Sequence, residues 1–143
     1  MVWSCLVSIL PGMAQTEKLT DYVNPFVGTD GYGNVYPGAQ IPFGGIQISP
    51  DTDSRFYDAA SGYKYNHLTL MGFSLTHLSG TGIPDLGDFL FIPGTGEMKL
   101  EPGTHEDPDQ GYRSRYSHDK EWASPNYYAC LLYTSPSPRD RTR

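Results

Sequence analysis

The sequence predicts an all-β fold, an antiparallel β-sandwich. Three observations point to it. The 143-residue chain carries 16 Gly and 12 Pro, and both residue types break helices and set turns. Aromatic residues reach 13%, with 11 tyrosines, and such side chains suit the pleated surface of strands. The apolar runs are short, with a turn signal after each, and no heptad or internal repeat interrupts them. Short strands between Gly/Pro turns are the pattern of a sandwich or barrel.

The elements follow in order. Val2 to Leu10 is an apolar run closed by Pro11-Gly12. It is shorter than the ~20 residues a bilayer span needs, and it predicts a signal peptide cleaved near Ala14, within a leader of residues 1–20. Asp21 to Phe26 reads as an extended opening. Gly28 to Gly38 is a loop by its glycines. Ile46 and Ile48 alternate with Gln47 and Ser49, which predicts a half-buried strand over 41–49 and a turn at Pro50-Asp51. Gly62 to Tyr65 predicts a short extended piece with Tyr63 and Tyr65 on one face. His67 to Leu78 predicts a strand broken at Gly72, and Ser79 to Pro84 a second glycine loop. Phe89 to Pro93 predicts a short buried strand. Leu100 to Gln110 is an acidic loop. Tyr112 to His118 alternates as an amphipathic strand would, and Pro125 to Ala129 opens the next one.

After Ala129 the composition turns to Ser, Pro and Arg, and Leu131 to Arg143 reads LLYTSPSPRDRTR. This string has no core-forming pattern. Residues 130–143 read as foreign read-through sequence or a disordered tail. The domain expected over 21–129 is then incomplete, a sandwich truncated before its last strands.

Net charge is −6. The body carries no basic cluster that would draw in a phosphate backbone, so no nucleic-acid partner is expected. The cysteines, Cys5 and Cys130, lie in the leader and at the start of the tail. A Cys-free body and a leader fit an exported protein, secreted or periplasmic.

Two segments are candidate sites. In the first, Gly28, Thr29, Asp30, Gly33, Asn34 and Tyr36 combine close backbone approach with donors, acceptors and a ring suited to hydroxyl-rich sugars. A tight solvent-exposed turn accounts for the same residues. It is no phosphate loop, because GTDGYGNV lacks the following Lys-Ser/Thr. In the second, Thr76 to Gly82, His77, Ser79 and Gly80 offer sugar contacts, with Thr81 beside them. A buried His satisfied by backbone is the competing account of His77, and Ser79 lies in no nucleophile elbow. Asp85 with Asp88, and Asp51 with Asp53, offer too few oxygens for calcium, and acceptance of backbone N–H bonds explains them more simply. The spacing of His67, His105 and His118 does not suit zinc. Trp122, Tyr127 and Tyr128 suit sandwich packing, with a sugar platform as the alternative.

Four segments in sequence resemble one family. They are DYVNPFVGT (21–29) with YPGA (36–39), PFG (42–44) with SPD (49–51), GFSLTHLSGTG (72–82) with DLGD (85–88), and YRSRYSHDKE (112–121) with ASP (123–125) and Tyr127-Tyr128. Together they resemble the N-terminal domain of glycoside hydrolase family 92, over about 21–129, with THLSGTG and DLGD the most specific part. The resemblance implies a calcium-dependent, exo-acting, inverting α-mannosidase acting on mannose-containing glycans. It implies a β-sandwich followed by a larger (α/α)6 catalytic domain that carries the acid, the base and the Ca²⁺ ligands. On that reading this segment holds no catalytic residue and no metal, is inactive alone, and supplies loops to a mannose pocket between the two domains. The alternative is a free-standing carbohydrate-binding sandwich.

Overall fold

The computed structural model describes residues 17–41, 44–53, 55, 57–80 and 82–133. The apolar leader run, Thr81 and the Ser/Pro/Arg string after Tyr133 lie outside the described residues. Six strands occur among them: β1 Ser49–Asp51, β2 Thr69–Leu70, β3 Gly72–Ser74, β4 Ser114–Arg115, β5 Glu121–Ser124 and β6 Tyr127–Cys130. They pair antiparallel as β1–β3, β2–β4 and β5–β6. The helical pieces are single 3-10 turns at Leu19–Tyr22, Tyr57–Ala59, Pro108–Gln110 and His118–Lys120. The all-β, antiparallel class expected from the sequence is the class found.

Several elements differ from the sequence reading. The extended opening is partly a 3-10 turn, because Asp21 N–H bonds Lys18 C=O and Val23 N–H bonds Thr20 C=O. The strand expected over 41–49 begins at its last residue. Ile46 and Ile48 are 61% and 40% exposed, so their alternation marks no buried face. Pro50 sits inside β1 opposite Phe73, which its missing N–H permits because β1 pairs on one side only. The break expected at Gly72 falls at Met71, between β2 and β3.

The buried strand expected at 89–93 is an exposed edge. Phe89 and Phe91 are 76% and 58% exposed. The segment still runs antiparallel beside β3, with Phe73 and Phe91 exchanging bonds of 2.8 and 2.9 Å and Gly87 N–H reaching Thr76 C=O at 2.8 Å. Leu86 and Phe89 adopt positive φ, 66° and 53°. Left-handed residues cannot continue a β ladder, so pairing reduces to isolated bridges at His77–Leu86 and Phe73–Phe91.

Toward the C-terminal side, Pro125 and Asn126 form the two-residue turn of the β5–β6 hairpin. Ordered pairing continues past the compositional boundary at Ala129: β6 ends at Cys130, Leu131 N–H bonds Lys120 C=O, and Tyr133 bridges Arg115.

The centre of the fold is small and polar. Its buried hydrophobic residues are Ala59, Ala60, Tyr63, Leu70, Met71 and Tyr116, and they sit among buried Asp51, Asp53, Arg113 and Glu121. Burying a charge is costly unless it is paired and hydrogen-bonded. Around Asp51, Asp53 and Glu121, organisation therefore comes from hydrogen-bonded carboxylates as much as from apolar area. Glu121 accepts from Tyr63 Oη at 2.9 Å, Tyr128 Oη at 2.5 Å and His118 Nδ1 at 2.6 Å. Burial, and then the nearby Glu121 charge, push the Tyr128 hydroxyl far above its ordinary value. Burial does the same to Tyr63, so both remain donors.

Candidate functional site

The two glycine segments meet. Gly80 N–H donates to Asn34 C=O at 2.6 Å, and the Tyr36 ring packs on His77 with centroids 4.9 Å apart. The first loop is pinned from within. Thr29 is buried, and its hydroxyl and N–H both reach Phe26 C=O, at 2.8 and 3.1 Å. At Gly33 an added Cβ would stand 2.2 Å from Gly28 C=O, so the loop closes on itself only with glycine there. Asn34 takes φ +47°, a conformation Asn tolerates better than most residues. Its Oδ1 accepts Ala60 N–H at 3.2 Å. Asn34→Ala leaves that buried N–H unsatisfied and keeps the strained φ. The expected cost is about 1–3 kcal/mol, read as a fall in the urea midpoint, and an unchanged midpoint would refute it.

His77 is 4% exposed. Its Nδ1 lies 2.8 Å from Gln47 C=O, and its Nε2 lies 2.9 Å from Ser74 Oγ and 3.0 Å from Asp51 Oδ1. Asp51 Oδ2 also accepts Ser74 N–H at 2.9 Å. Ser, His and Asp are thus together, but both oxygens crowd Nε2. A hydrolytic triad instead needs the carboxylate on Nδ1 and the serine on Nε2. The group is a buried brace that fixes the stem of the second loop. Beside it a cleft of about 240 Å³ is lined by Asp51, Ser61, Gly62, His77, Asp85 and Leu86.

Outward from this frame, Asp30, Gly33, Ser79 and Gly80 are exposed. Tyr36 is half-buried, bonds Gln40 Oε1 at 3.1 Å, and has its hydroxyl pKa raised by burial. The structure therefore brings all the sequence-predicted site residues to one region. It divides them into a buried frame of Thr29, Asn34 and His77 and an exposed rim. Asp85 accepts Leu86 N–H at 2.8 Å, and Asp88 accepts from Thr76 Oγ1 at 3.0 Å. Among the described residues no three His, Cys, Asp or Glu side chains converge to hold a metal.

Sequence reasoning missed two features. Tyr32 and Tyr57 are 79% and 64% exposed, with ring centroids 6.3 Å apart. Tyr32 stands between Gly31 and Gly33, and an aromatic flanked by glycines has nothing local to bury it. The second is a polar cluster on the 52–69 side. His67 and His105 rings lie 4.1 Å apart. His105 Nε2 approaches the buried Asp53 carboxylate at 3.4 Å without hydrogen-bond alignment. Arg113 donates to Thr52 C=O and to Thr69 Oγ1. No sequence spacing joins residues 53, 67, 105 and 113.

Two glycine loops tied main chain to main chain on small antiparallel sheets define a loop-presenting β domain. The glycosyl hydrolase family 92 N-terminal domain matches residues 22–136, and the chain belongs to that family. A family 92 α-mannosidase of Bacteroides thetaiotaomicron, solved alone and with mannoimidazole, is 98% identical with a TM-score of 0.79. The match covers 81% of this chain and 15% of that one in the complex. A second family 92 glycosyl hydrolase structure is 34% identical, TM-score 0.67, over 80% of this chain and 14% of that one. A secreted glycosidase of Arthroderma benhamiae is 36% identical over 73 residues, 50% of this chain and 9% of its own length. The chain thus spans about a seventh of the solved enzymes it matches. No helix among the described residues is long and apolar enough to cross a membrane.

Proposed function

We propose that this chain is the N-terminal, non-catalytic part of an exported, exo-acting α-mannosidase, and that its two loops form one wall of the mannose pocket facing an (α/α)6 catalytic domain. The observation that carries the reading is the 2.6 Å bond between Gly80 N–H and Asn34 C=O. It makes two separate loops a single surface whose outer edge offers the exposed Asp30 and Ser79. Hydroxyl-rich ligands are held by such convergent polar groups. Inverting hydrolysis needs two carboxyl groups roughly 6.5–9.5 Å apart with a water between them and the sugar. On this reading the catalytic domain supplies both, along with any calcium.

The test uses the full-length Bacteroides thetaiotaomicron enzyme. Alanine at the positions matching Asp30 and Ser79 is expected to raise KM for a mannobiose roughly tenfold at nearly unchanged thermal stability, as loss of ground-state contacts does. Unchanged kcat/KM in both variants would remove the loops from the pocket.

The exposed Tyr32–Tyr57 pair, its rings tilted 56° to each other, favours a second reading, a free-standing carbohydrate-binding module, since exposed aromatic rings offer apolar faces on which a sugar can stack. Calorimetry of this chain with mannose separates the two. Submillimolar binding by the isolated chain supports the module, and its absence supports a wall completed by another domain.

A further inference from the structure

We propose that Glu121 is a positioning residue for the sugar-facing wall, acting through Tyr63 and the strip of chain from Ala60 to Tyr65; this rests on the function proposed above. The strip touches both loops. Ala60 N–H holds Asn34 Oδ1 at 3.2 Å. Gly62 lies against the Asp51–His77 pair so closely that a Cβ there would stand 2.1 Å from Asp51 Oδ1 and 3.0 Å from His77 Cδ2. Tyr65 N–H donates to Thr29 C=O at 2.9 Å. Between these contacts the strip is gripped by one carboxylate, which begins β5 and is 58 residues away from Tyr63 in sequence. Tyr63, 1% exposed, donates its hydroxyl to both Glu121 oxygens, at 2.9 and 3.2 Å. His118, bonded to Glu121 Oε2 at 2.6 Å, stacks face to face on Tyr65 with centroids 4.0 Å apart and planes 8° from parallel. Glu121 therefore sets Tyr63 directly and Tyr65 through His118. Tyr128 bonds the same carboxylate from β6 at 2.5 Å but has no place on the strip.

That asymmetry supplies the test. In the full-length Bacteroides thetaiotaomicron enzyme, Tyr63→Phe and Tyr128→Phe each remove one hydroxyl from the same buried carboxylate and are expected to lower thermal stability by similar amounts. Tyr63→Phe, and Glu121→Gln where it folds, are expected to raise KM for a mannobiose roughly tenfold with kcat within about twofold, because displacement of a binding wall by a fraction of an ångström weakens substrate positioning. Tyr128→Phe is expected to leave KM unchanged. A merely structural role moves the melting temperature in both tyrosine variants and KM in neither, and that result overturns the proposal. So does an equal rise in KM for both. If alanine at Asp30 and Ser79 raises KM while Tyr63→Phe does not, Glu121 fails and the wall stands. If none of the substitutions at Asp30, Ser79, Tyr63 and Glu121 moves KM, the wall itself is wrong.

Discussion

Gly62→Ala is expected to abolish cooperative folding of this domain or lower its stability by about 4 kcal/mol. Two costs add. Gly62 has φ +91°, and a side chain in that region costs on the order of 1–3 kcal/mol. The new Cβ would then meet Asp51 Oδ1 at 2.1 Å, far inside van der Waals contact. Asp51 cannot retreat cheaply, because it holds Ser74 N–H and His77 Nε2. Thr52 and Asp53 N–H both bond Gly62 C=O, at 2.7 and 3.2 Å, so the backbone cannot yield either. Gly31→Ala is the control: φ is +60° and no atom lies within 4 Å of the new Cβ, so only about 1 kcal/mol is expected. Urea unfolding followed by circular dichroism measures both, and equal midpoints for the two variants would refute the argument.

The largest pH effect is expected between about pH 6.5 and pH 4. Burial, then the neighbouring His105, lowers the His67 pKa to about 4 despite the nearby Asp53 and Asp58 carboxylates; Lys64 adds to the depression. Burial and Arg113 lower His105 in the same direction. Above pH 6.5 neither folded nor unfolded chain protonates these rings, and the domain has its full stability. As pH falls, the unfolded chain takes up protons that the folded one refuses, so stability declines until the folded value is reached. The cost from His67 is about 2 kcal/mol once partial exposure is allowed for. A second loss follows below about pH 4. Asp53 is held at about 2, its burial outweighed by hydrogen bonds and charge from Arg55 and by Arg113, and that stabilisation disappears as the carboxylate protonates. His67→Gln keeps a polar partner for Thr52 Oγ1, bonded to the His67 ring at 3.0 Å, and removes the titration. It is expected to flatten the upper part of the stability–pH curve. A wild-type slope in this variant would exclude His67 as its source.

How far the sequence reaches follows from the kind of signal each feature leaves. Turn chemistry is local, so the loops at 28–38 and 79–84 were legible. So was the interruption within 67–78, displaced by one residue. Strand length depends on non-local pairing. Ile46 and Ile48 alternate as a buried strand would, yet they face outward, because the polar brace at Asp51 and His77 takes the interior beside them. Phe89 and Phe91 mimic a core strand, but positive φ at Leu86 and Phe89 turns the segment into an exposed edge. The candidate loops were readable as glycine-bearing and polar, whereas their frame was not. Glu121 reaches Tyr63 across 58 residues, and nothing in either local sequence announces the other. His77 was readable as a choice between sugar contact and a buried ring satisfied by backbone, and only the fold places oxygens against both its ring nitrogens.

The main-chain bond between Gly80 and Asn34 also shapes how such a surface can diversify. Because neither partner is a side chain, point mutations at Asp30 or Ser79 alter the rim's chemistry without removing the joint. Proline at 80 deletes the donor outright, whereas changes at Asp30 or Ser79 do not. Descendants of this domain can therefore exchange Asp30 and Ser79 while inheriting the same seam between the loops.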